Sequence, residues 1–289
     1  MTIPSLQSLA IAGAVGVLSG THAAIWGMYK DAPHEGFGIA RFARSVIIGA
    51  AVAVALQAVL GLTLPGAPAL VTLFGLAYAA ERGVVEVWKT FVRDEDQDKY
   101  FIPMQFSVRG VPVAHRGARL AAGAAYVAAV ALCLFAVARL DRTTVPPGAL
   151  TSALVGFGVG AIVAVGGAWK DAPKEGFDAL KFFRSPGLTA LYALLLAPLA
   201  NGYLLATAAA IGFERATAET YKTFCFPARP RGKFTGKPVL YPEMLARRGR
   251  FVPVYVAICA AVLAAGAVAL QAAAPGTHAA TSRTAAVRP

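Results

Sequence analysis

The sequence predicts an all-α, polytopic membrane protein with about eight transmembrane helices, arranged as two parallel four-helix repeats. Three observations predict this fold. Hydrophobic residues make up 57% of the 289 positions, and the mean hydropathy is +0.60. The apolar stretches approach the roughly 20 residues that a helix needs to cross a bilayer. Polar phrases recur along the chain, which indicates internal duplication.

Three polar phrases occur twice. The first reads Lys-Asp-Ala-Pro-x-Glu-Gly-Phe, the second Glu-Arg-x-x-x-Glu-x-x-Lys-Thr-Phe, and the third, weaker one Gly-x-Pro-Val. They occupy residues 30–37 and 170–177, 81–91 and 214–224, and 110–113 and 236–239. The duplication predicts a first repeat over residues 1–140 and a second over 141–274. A disordered C-terminal tail is expected over 275–289, which is rich in Ala, Thr and Arg.

Eight apolar stretches are candidate spans, with the sixth and seventh crowded together. They are Leu6–Tyr29, Val46–Leu64, Pro68–Thr90, Leu120–Ala138, Leu150–Trp169, Pro186–Gly202, Tyr203–Thr223 and Phe251–Ala272. Four spans in each repeat would make the two halves parallel, related by a twofold axis along the membrane normal.

The net charge of +12 is distributed unevenly. Most of the 27 Lys and Arg residues fall in or beside four segments that separate alternate spans. These segments are 30–45, 82–119, 170–184 and 215–250. By the positive-inside rule they face the cytoplasm and both termini lie outside it, as in a bacterial inner (plasma) membrane. This pattern argues against nucleic acid as a partner.

The first phrase predicts a change of direction at the cytosolic interface. Asp followed by Pro is typical of a helix start, so short interfacial helices are expected on the cytosolic side. A structural elbow explains the phrase as well as a ligand site does. As a site, the helix start and Lys30 or Lys170 would bind an anion. The candidate ligands of a divalent cation, Mg²⁺, are Asp31, Glu35, Asp171 and Glu175.

The second phrase places ionisable residues inside predicted spans, where they are functional candidates by default. Arg82, Glu86 and Lys89 share one helix face and can pair, whereas Glu81 points about 100° away from Arg82. The candidate catalytic carboxylates are Glu81, Glu86, Glu214 and Glu219. The candidate substrate-binding cations are Lys30, Arg82, Lys89, Lys170, Arg215 and Lys222. A buried salt-bridge network that only holds the halves together is the structural alternative.

Other signals are weaker. His22 is solitary and is interpreted as a hydrogen-bonded packing residue. The acidic run 94–98 is interpreted as a solvated loop face. Four scattered His and three unpaired Cys make haem and zinc unlikely cofactors, and no nucleotide-binding motif is present.

These residues leave three classes of function open. The first is an enzyme with a cytosol-facing cavity that acts on a phosphorylated or nucleotide-activated lipid or isoprenoid, by phosphoryl or prenyl transfer. The second is a transporter or channel that uses Glu81 and Glu214 near the bilayer midplane. The third is a non-catalytic membrane scaffold subunit. The expected partners are membrane lipid and a phosphorylated small molecule or lipid, and a homo-oligomer is compatible with the pattern.

Overall fold

A computed structural model describes residues 4–141, 148–227 and 232–274, which are mostly helical. The predicted disordered tail lies outside these ranges. Eight of the helices are long, and a ninth is short. They are α1 Leu6–Glu35, α2 Ile39–Leu60, α3 Ala67–Val87, α4 Arg116–Leu140, α5 Ala149–Glu175, α6 Ala179–Leu196, α7 Tyr203–Phe224, α8 Glu243–Arg247 and α9 Val252–Ala273.

Short elements connect these helices. They are a π-helical turn Trp88–Val92, a hairpin of β1 Ser107–Val108 and β2 Val111–Pro112, and 3₁₀ turns Gly232–Phe234 and Arg248–Phe251. The all-α prediction is therefore confirmed, with one two-stranded hairpin in the loop before α4.

Five helical segments are long and apolar enough to cross a membrane. They are α1, α2, α4, α5 and the continuous segment Glu243–Ala273. The other three long helices are α3 and α7, which carry the second repeated phrase, and α6, which contains Lys181 and Arg184 in its first two turns. The chain is thus a helical protein with five helices able to span a bilayer, and the helices with most buried charge are not among them.

The first repeated phrase ends a helix in both halves, so the predicted helix start at Asp31 and Asp171 is wrong. Pro33 and Pro173 lie inside the last turns of α1 and α5. The following glycines have positive φ, which stops each helix, and α2 and α6 then begin within three residues. No separate interfacial helix forms between these helices in the described chain, because the arginines that follow belong to α2 and α6 themselves.

Pro33 has a second consequence for the end of α1. Its missing N–H leaves the carbonyl of Tyr29 without the usual helical donor. The guanidinium of Arg248 supplies one instead, with Nη1 3.1 Å from that oxygen. A residue just before α9 therefore stabilises the end of α1.

The sixth helix also starts earlier than predicted, at Ala179 rather than Pro186. Asp178 caps it, because its side-chain oxygen accepts a hydrogen bond from Lys181 N at 3.1 Å. Pro186 therefore lies within α6. The earlier start relieves the crowding between the sixth and seventh spans, since α6 ends at Leu196 and α7 begins at Tyr203.

The two helical hairpins pack through glycines in matching positions. In α1–α2, a Cβ added at Gly16 would lie 2.3 Å from Gly49 O, and one at Gly20 would lie 2.3 Å from a backbone oxygen of α2. In α5–α6, a Cβ at Gly156 or Gly160 would lie under 3.0 Å from α6 atoms. Both α1 and α5 thus use a Gly-x-x-x-Gly spacing, which lets helix backbones approach closely.

Helices α3 and α7 occupy the centre of the bundle. Helix α3 contacts α1, α2, α7 and α9, while α7 contacts α1, α3, α4, α5 and α6. Their closest approach is at Gly212, where an added Cβ would lie 1.9 Å from Gly75 O and 3.1 Å from Ala79 N. Gly75 in turn faces Ala209. Because 75 pairs with 209 and 79 with 212, the two central helices run parallel.

Two long connections cover the end of the bundle at which α1, α3, α5 and α7 finish, called here the charged end. Each connection docks on the opposite half. The loop after α3 reaches α5, where Trp169 Nε1 donates to Ser107 O at 3.0 Å. The loop after α7 reaches α1, where His34 Nδ1 lies 2.8 Å from Pro238 O. Leu240 and Tyr241 both donate backbone N–H groups to Pro33 O.

The third repeated phrase takes part in both of these contacts. Gly110 has positive φ and lies against Pro173, with a built Cβ 3.0 Å from the proline ring. Gly236 also has positive φ, and Pro238 accepts the contact from His34. The Gly-x-Pro-Val loops therefore dock on the first phrase of the other half. This supports the elbow interpretation of that phrase.

Candidate functional site

Ten charged side chains converge at the charged end of α1, α3, α5 and α7. They are linked by ion pairs or lie within electrostatic range of one another. They are Lys30, Glu81, Arg82, Glu86, Lys89, Lys170, Glu214, Arg215, Glu219 and Lys222, and are called here the central cluster. It contains all of the residues predicted as catalytic or substrate-binding, with six basic and four acidic members.

In the first half, Arg82 is paired tightly with the preceding residue. Its Nε and Nη2 donate to the two carboxylate oxygens of Glu81. Although successive positions on a helix point about 100° apart, the long arginine side chain reaches the Glu81 carboxylate. Arg82 also lies over the ring of Trp26, 5.3 Å from its centroid, and donates to Ser45 Oγ at 3.3 Å. Its side chain is only 10% exposed.

Several aromatic side chains cover the Glu81–Arg82 pair. Trp26 Nε1 donates to the hydroxyl of Tyr78 at 2.7 Å, and His22 Nδ1 lies 3.2 Å from the same oxygen. The His22 ring stacks on Tyr255 with centroids 4.1 Å apart. The interpretation of His22 as a hydrogen-bonded packing residue is therefore confirmed. The Glu81–Arg82 pair is a buried element of the core.

In the second half, the corresponding arginine is paired loosely. Arg215 Nε lies 3.9 Å from Glu214, and its Nη1 lies 3.8 Å from Glu219. The Arg215 side chain is 33% exposed. Glu214 is fixed by Ser185, whose hydroxyl donates to its Oε1 at 2.7 Å. Arg215 therefore makes only long ion pairs, whereas Arg82 donates two of its N–H groups to Glu81.

Glu219 is the most connected carboxylate of the cluster. Lys222 Nζ donates to it at 3.2 Å, and Lys30 Nζ approaches its other oxygen at 3.8 Å. Lys30 comes from α1, so this contact joins the two halves. The predicted sharing of one helix face by Arg215, Glu219 and Lys222 is confirmed by these distances.

Glu86 and Lys89 mark the open side of the cluster. They pair at 3.7 Å, and the Glu86 side chain is 49% exposed. Lys170 and Arg215 lie within electrostatic range of this carboxylate. Lys89 belongs to the π-helical turn, whereas α7 remains α-helical through its equivalent, Lys222. π-Helical turns are frequent at functional sites, because they redirect side chains.

The four predicted metal ligands form two separate pairs of carboxylates, and each pair makes ion pairs with one lysine. Lys233 Nζ lies 2.9 Å from Asp31 and 3.3 Å from Glu35. Lys181 Nζ lies 2.8 Å from Asp171 and 2.6 Å from Glu175. Within residues 4–141, 148–227 and 232–274, no three His, Cys, Asp or Glu side chains converge as a metal site. An ammonium group therefore occupies the position between each pair of carboxylates.

Lys233 crosses from the loop after α7 to the end of α1. Burial opposes its charged form, but the carboxylates of Asp31 and Glu35 outweigh burial and raise the pKa of Lys233. Tyr100 belongs to the other covering loop, and its hydroxyl donates to Glu35 at 3.0 Å. Burial and the nearby carboxylates of Glu35 and Glu95 raise the pKa of Tyr100, so it remains a donor.

The acidic run 94–98 is bonded into this loop. Asp94 accepts from Arg119 at 2.9 Å and from Gln105 at 3.2 Å, and these hydrogen bonds lower the pKa of Asp94. Glu95 pairs with Arg93 and Lys99. The interpretation as a loop face is correct, but the run also anchors the start of α4 through Arg119.

An apolar groove of about 470 Å³ lies between the end of α3 and α4. One wall is formed by α3 and the π-helical turn, including Val87 and Phe91, and none of the lining residues belongs to the central cluster. The other wall is α4, where Gly123 allows Phe91 to approach; an added Cβ would lie 2.8 Å from that side chain. Of the two walls, α4 is one of the helices able to span a bilayer.

Sequence reasoning missed several partners of the cluster. Ser45 and Ser185 follow the first phrase in both halves, so the repeat itself could have indicated them. The repeat also indicates Lys181, because the equivalent residue Arg41 pairs with Glu35 at 2.9 Å as Lys181 pairs with Glu175. Lys233 has no such signal, since it lies outside the repeated phrases. Trp26 could not be found through the repeat either, because Gly166 stands at the equivalent position.

Comparison with known proteins adds nothing to this geometry: no family model, curated protein or solved structure matches the chain. Its function is therefore argued from the central cluster and its surroundings.

Proposed function

We propose that this chain is an integral membrane enzyme that binds a phosphorylated or nucleotide-activated lipid or isoprenoid at the central cluster and transfers its phosphoryl or prenyl group. The observation that supports this most directly is the convergence of six basic and four acidic side chains. Helix α3, to which Glu86 belongs, also contributes to an apolar groove, through Val87, which follows Glu86 in sequence. The cationic surplus favours an anionic group, and the groove favours an apolar chain.

The membrane arrangement belongs to the same proposal. It has eight spans in two parallel four-helix repeats, with the charged end and its covering loops in the cytoplasm and both termini outside it. The parallel crossing of α3 and α7 at Gly75 and Gly212 supports it, as do the equivalent glycines of α1 and α5. Since α3 and α7 are surrounded by the other helices, they can carry charge without facing lipid. A bacterial inner membrane fits the cytoplasmic position of the basic loops.

Within the site, the roles follow from exposure and pairing. Arg215 is 33% exposed and its ion pairs are long, and Lys89 is paired only at 3.7 Å, so both would bind the phosphate oxygens. Lys170 adds positive charge from α5 within range of Glu86. Positioned cations of this kind stabilise the charge that develops on phosphate in a transfer reaction. Glu86 is the exposed carboxylate and the candidate proton acceptor.

A divalent cation such as Mg²⁺ would have to displace a lysine from the carboxylate pairs. Asp31 and Glu35 are neutralised by Lys233, and Asp171 and Glu175 by Lys181. Anion binding is therefore assigned to the basic side chains of the central cluster, which do not depend on those pairs. Turnover with and without a chelator tests the metal separately.

The decisive experiment uses the purified full-length chain in detergent. Lipid extracted from it is identified by mass spectrometry, and the phosphate-bearing species is then offered as substrate. Product formation is expected for the unaltered chain and loss of most turnover for Arg215→Gln. Arg116→Gln is the control, since it changes an equally basic residue at the start of α4. Unchanged turnover in Arg215→Gln, or no phosphate-bearing lipid at all, would contradict the proposal.

A transporter remains the second candidate because of one observation. Glu214 is buried in the second central helix, and its Oε2 accepts no hydrogen bond from the described residues. A buried carboxylate of this kind can hold a proton or cation between helices. Uptake into sealed vesicles that Glu214→Gln abolishes, without any product in detergent, would favour the transporter over the enzyme.

A further inference from the structure

A second groove, of about 320 Å³, lies away from the central cluster, where α9 begins. It is lined by Phe37, Met244, Arg247, Arg250 and Phe251. The first comes from the turn between α1 and α2, and the others come from α8 and the 3₁₀ turn that leads into α9. This is the point at which the 31-residue apolar segment Glu243–Ala273 leaves the covering loop.

The two arginines of this groove have no side-chain partner among the described residues. Arg247 and Arg250 are exposed, and neither makes an ion pair or hydrogen bond with the residues that the structure describes. Their neighbour Arg248 behaves differently, since it donates to Tyr29 O at 3.1 Å and lies 4.3 Å over the Tyr29 ring. Arg248 thus stabilises the end of α1. Arg247 and Arg250 are exposed, and their guanidinium groups have no partner among the described residues.

The base of the groove between these arginines consists of aromatic side chains that pack against one another. The Phe251 ring lies 6.0 Å from Phe37 and 5.7 Å from Phe42, and Met244 is buried beside them. Next to it, Ile39 at the start of α2 is 77% exposed. A rigid apolar floor below two free guanidinium groups matches a molecule with an anionic head and an apolar body.

We propose that this groove binds the headgroup phosphate of an anionic membrane phospholipid. Arg247 and Arg250 would hold the phosphate oxygens, and the acyl chains would lie over Phe37 and the outer faces of α2 and α9. Charge complementarity and position support this occupant, because basic residues at the end of a spanning segment attract anionic lipid. The site shares no residue with the central cluster, so it is a second lipid site rather than the substrate site.

Native mass spectrometry of the full-length chain in detergent tests the proposal. Phosphatidylglycerol or phosphatidylcholine is added at equal concentrations, and the bound lipids are counted. Preferential phosphatidylglycerol binding is expected, weakened about tenfold in the double variant Arg247→Gln/Arg250→Gln. Arg116→Gln provides a matched control at the start of α4, and it should keep this preference.

The outcomes separate this site from the proposed function. A loss of preference only in the double variant supports the groove, even if the chain shows no turnover. A preference unchanged in the double variant overturns it, as does an equal loss in Arg116→Gln. Inorganic phosphate added as a competitor should leave lipid bound; complete displacement would indicate a small-anion site and contradict the proposal. Circular dichroism of each variant checks that helix content is retained.

Discussion

The same Glu-Arg dipeptide has opposite surroundings in the two halves of the molecule. In α3, Arg82 is bonded to both oxygens of Glu81 and covered by Trp26. In α7, Arg215 stands 3.9 Å from Glu214, and its side chain is more than three times as exposed as that of Arg82. Both arginines lie in the same Glu-Arg-x-x-x-Glu-x-x-Lys-Thr-Phe pattern, but the side chains that pack against them differ.

Position 26 of α1 explains much of this difference. Trp26 covers Arg82, whereas its equivalent in α5 is Gly166, where an added Cβ would meet nothing within 4 Å. The partner of Trp26, Tyr78, has Ile211 as its equivalent in α7. The first copy has thus become part of the core, while the second copy retains an arginine available to a ligand.

Removing the two arginines is the strongest test of this difference. Arg82→Gln should lower the free energy of unfolding by about 3–5 kcal/mol, because it leaves the buried Glu81 carboxylate without its cation. Arg215→Gln should cost about 1 kcal/mol or less, because its ion pairs are long and partly exposed. Denaturant unfolding in detergent measures both.

Glu81→Gln/Arg82→Gln serves as the control for that measurement. Removing both charges should recover much of the stability lost in Arg82→Gln, since no unpaired charge remains. Equal losses for the single variants at positions 82 and 215 would show that the two halves do not differ as described.

The lysines that close the carboxylate pairs provide a second, smaller comparison. Lys233→Met should lower the free energy of unfolding by about 2 kcal/mol, because this lysine is well buried and ties the loop after α7 to α1. Lys181→Met should cost about 0.5 kcal/mol, since Lys181 is more exposed and bonds to its own hairpin. A larger loss of stability for Lys181→Met than for Lys233→Met would contradict this comparison.

The Lys233 contact also predicts a pH dependence. The folded-state pKa of Lys233 is raised above the unfolded value of about 10.4. The stabilisation from its ion pairs with Asp31 and Glu35 is therefore complete below about pH 10.4. It is lost as the pH rises through the folded-state pKa. The difference in stability between the unaltered chain and Lys233→Met should therefore shrink only in strongly alkaline solution. A difference that disappears between pH 6 and 8 would contradict this assignment.

The last comparison concerns the aromatic side chains that cover Arg82. Trp26→Phe should lower stability by about 1 kcal/mol, because it removes the hydrogen bond to Tyr78 and weakens the cation–π contact. Gly166→Ala is the reciprocal control in α5, and its open surroundings predict little change. Equal losses for the two substitutions would mean that Trp26 is not what sets Arg82 apart.

Sequence patterns predicted the helices well and their ends less well. Tyr203–Thr223 was predicted as a span, and α7 covers Tyr203–Phe224. The end of α1 was misjudged, because Asp-Ala-Pro is compatible with the first turn of one helix or the last turn of another. The choice depends on Pro33 O and Tyr29 O finding donors, and those come from residues more than 200 positions away.

The sequence by itself determined the all-α class, the apolar helices able to cross a bilayer and the ten charged residues that meet at one end. Periodicity, hydropathy and repetition are local properties, so they can be read from the chain directly. Only the tertiary structure decided that Arg82 is buried and Arg215 open, and that lysines close both carboxylate pairs. Those outcomes depend on which side chains from other helices and loops lie within a few ångströms, and no spacing in the chain encodes such distances.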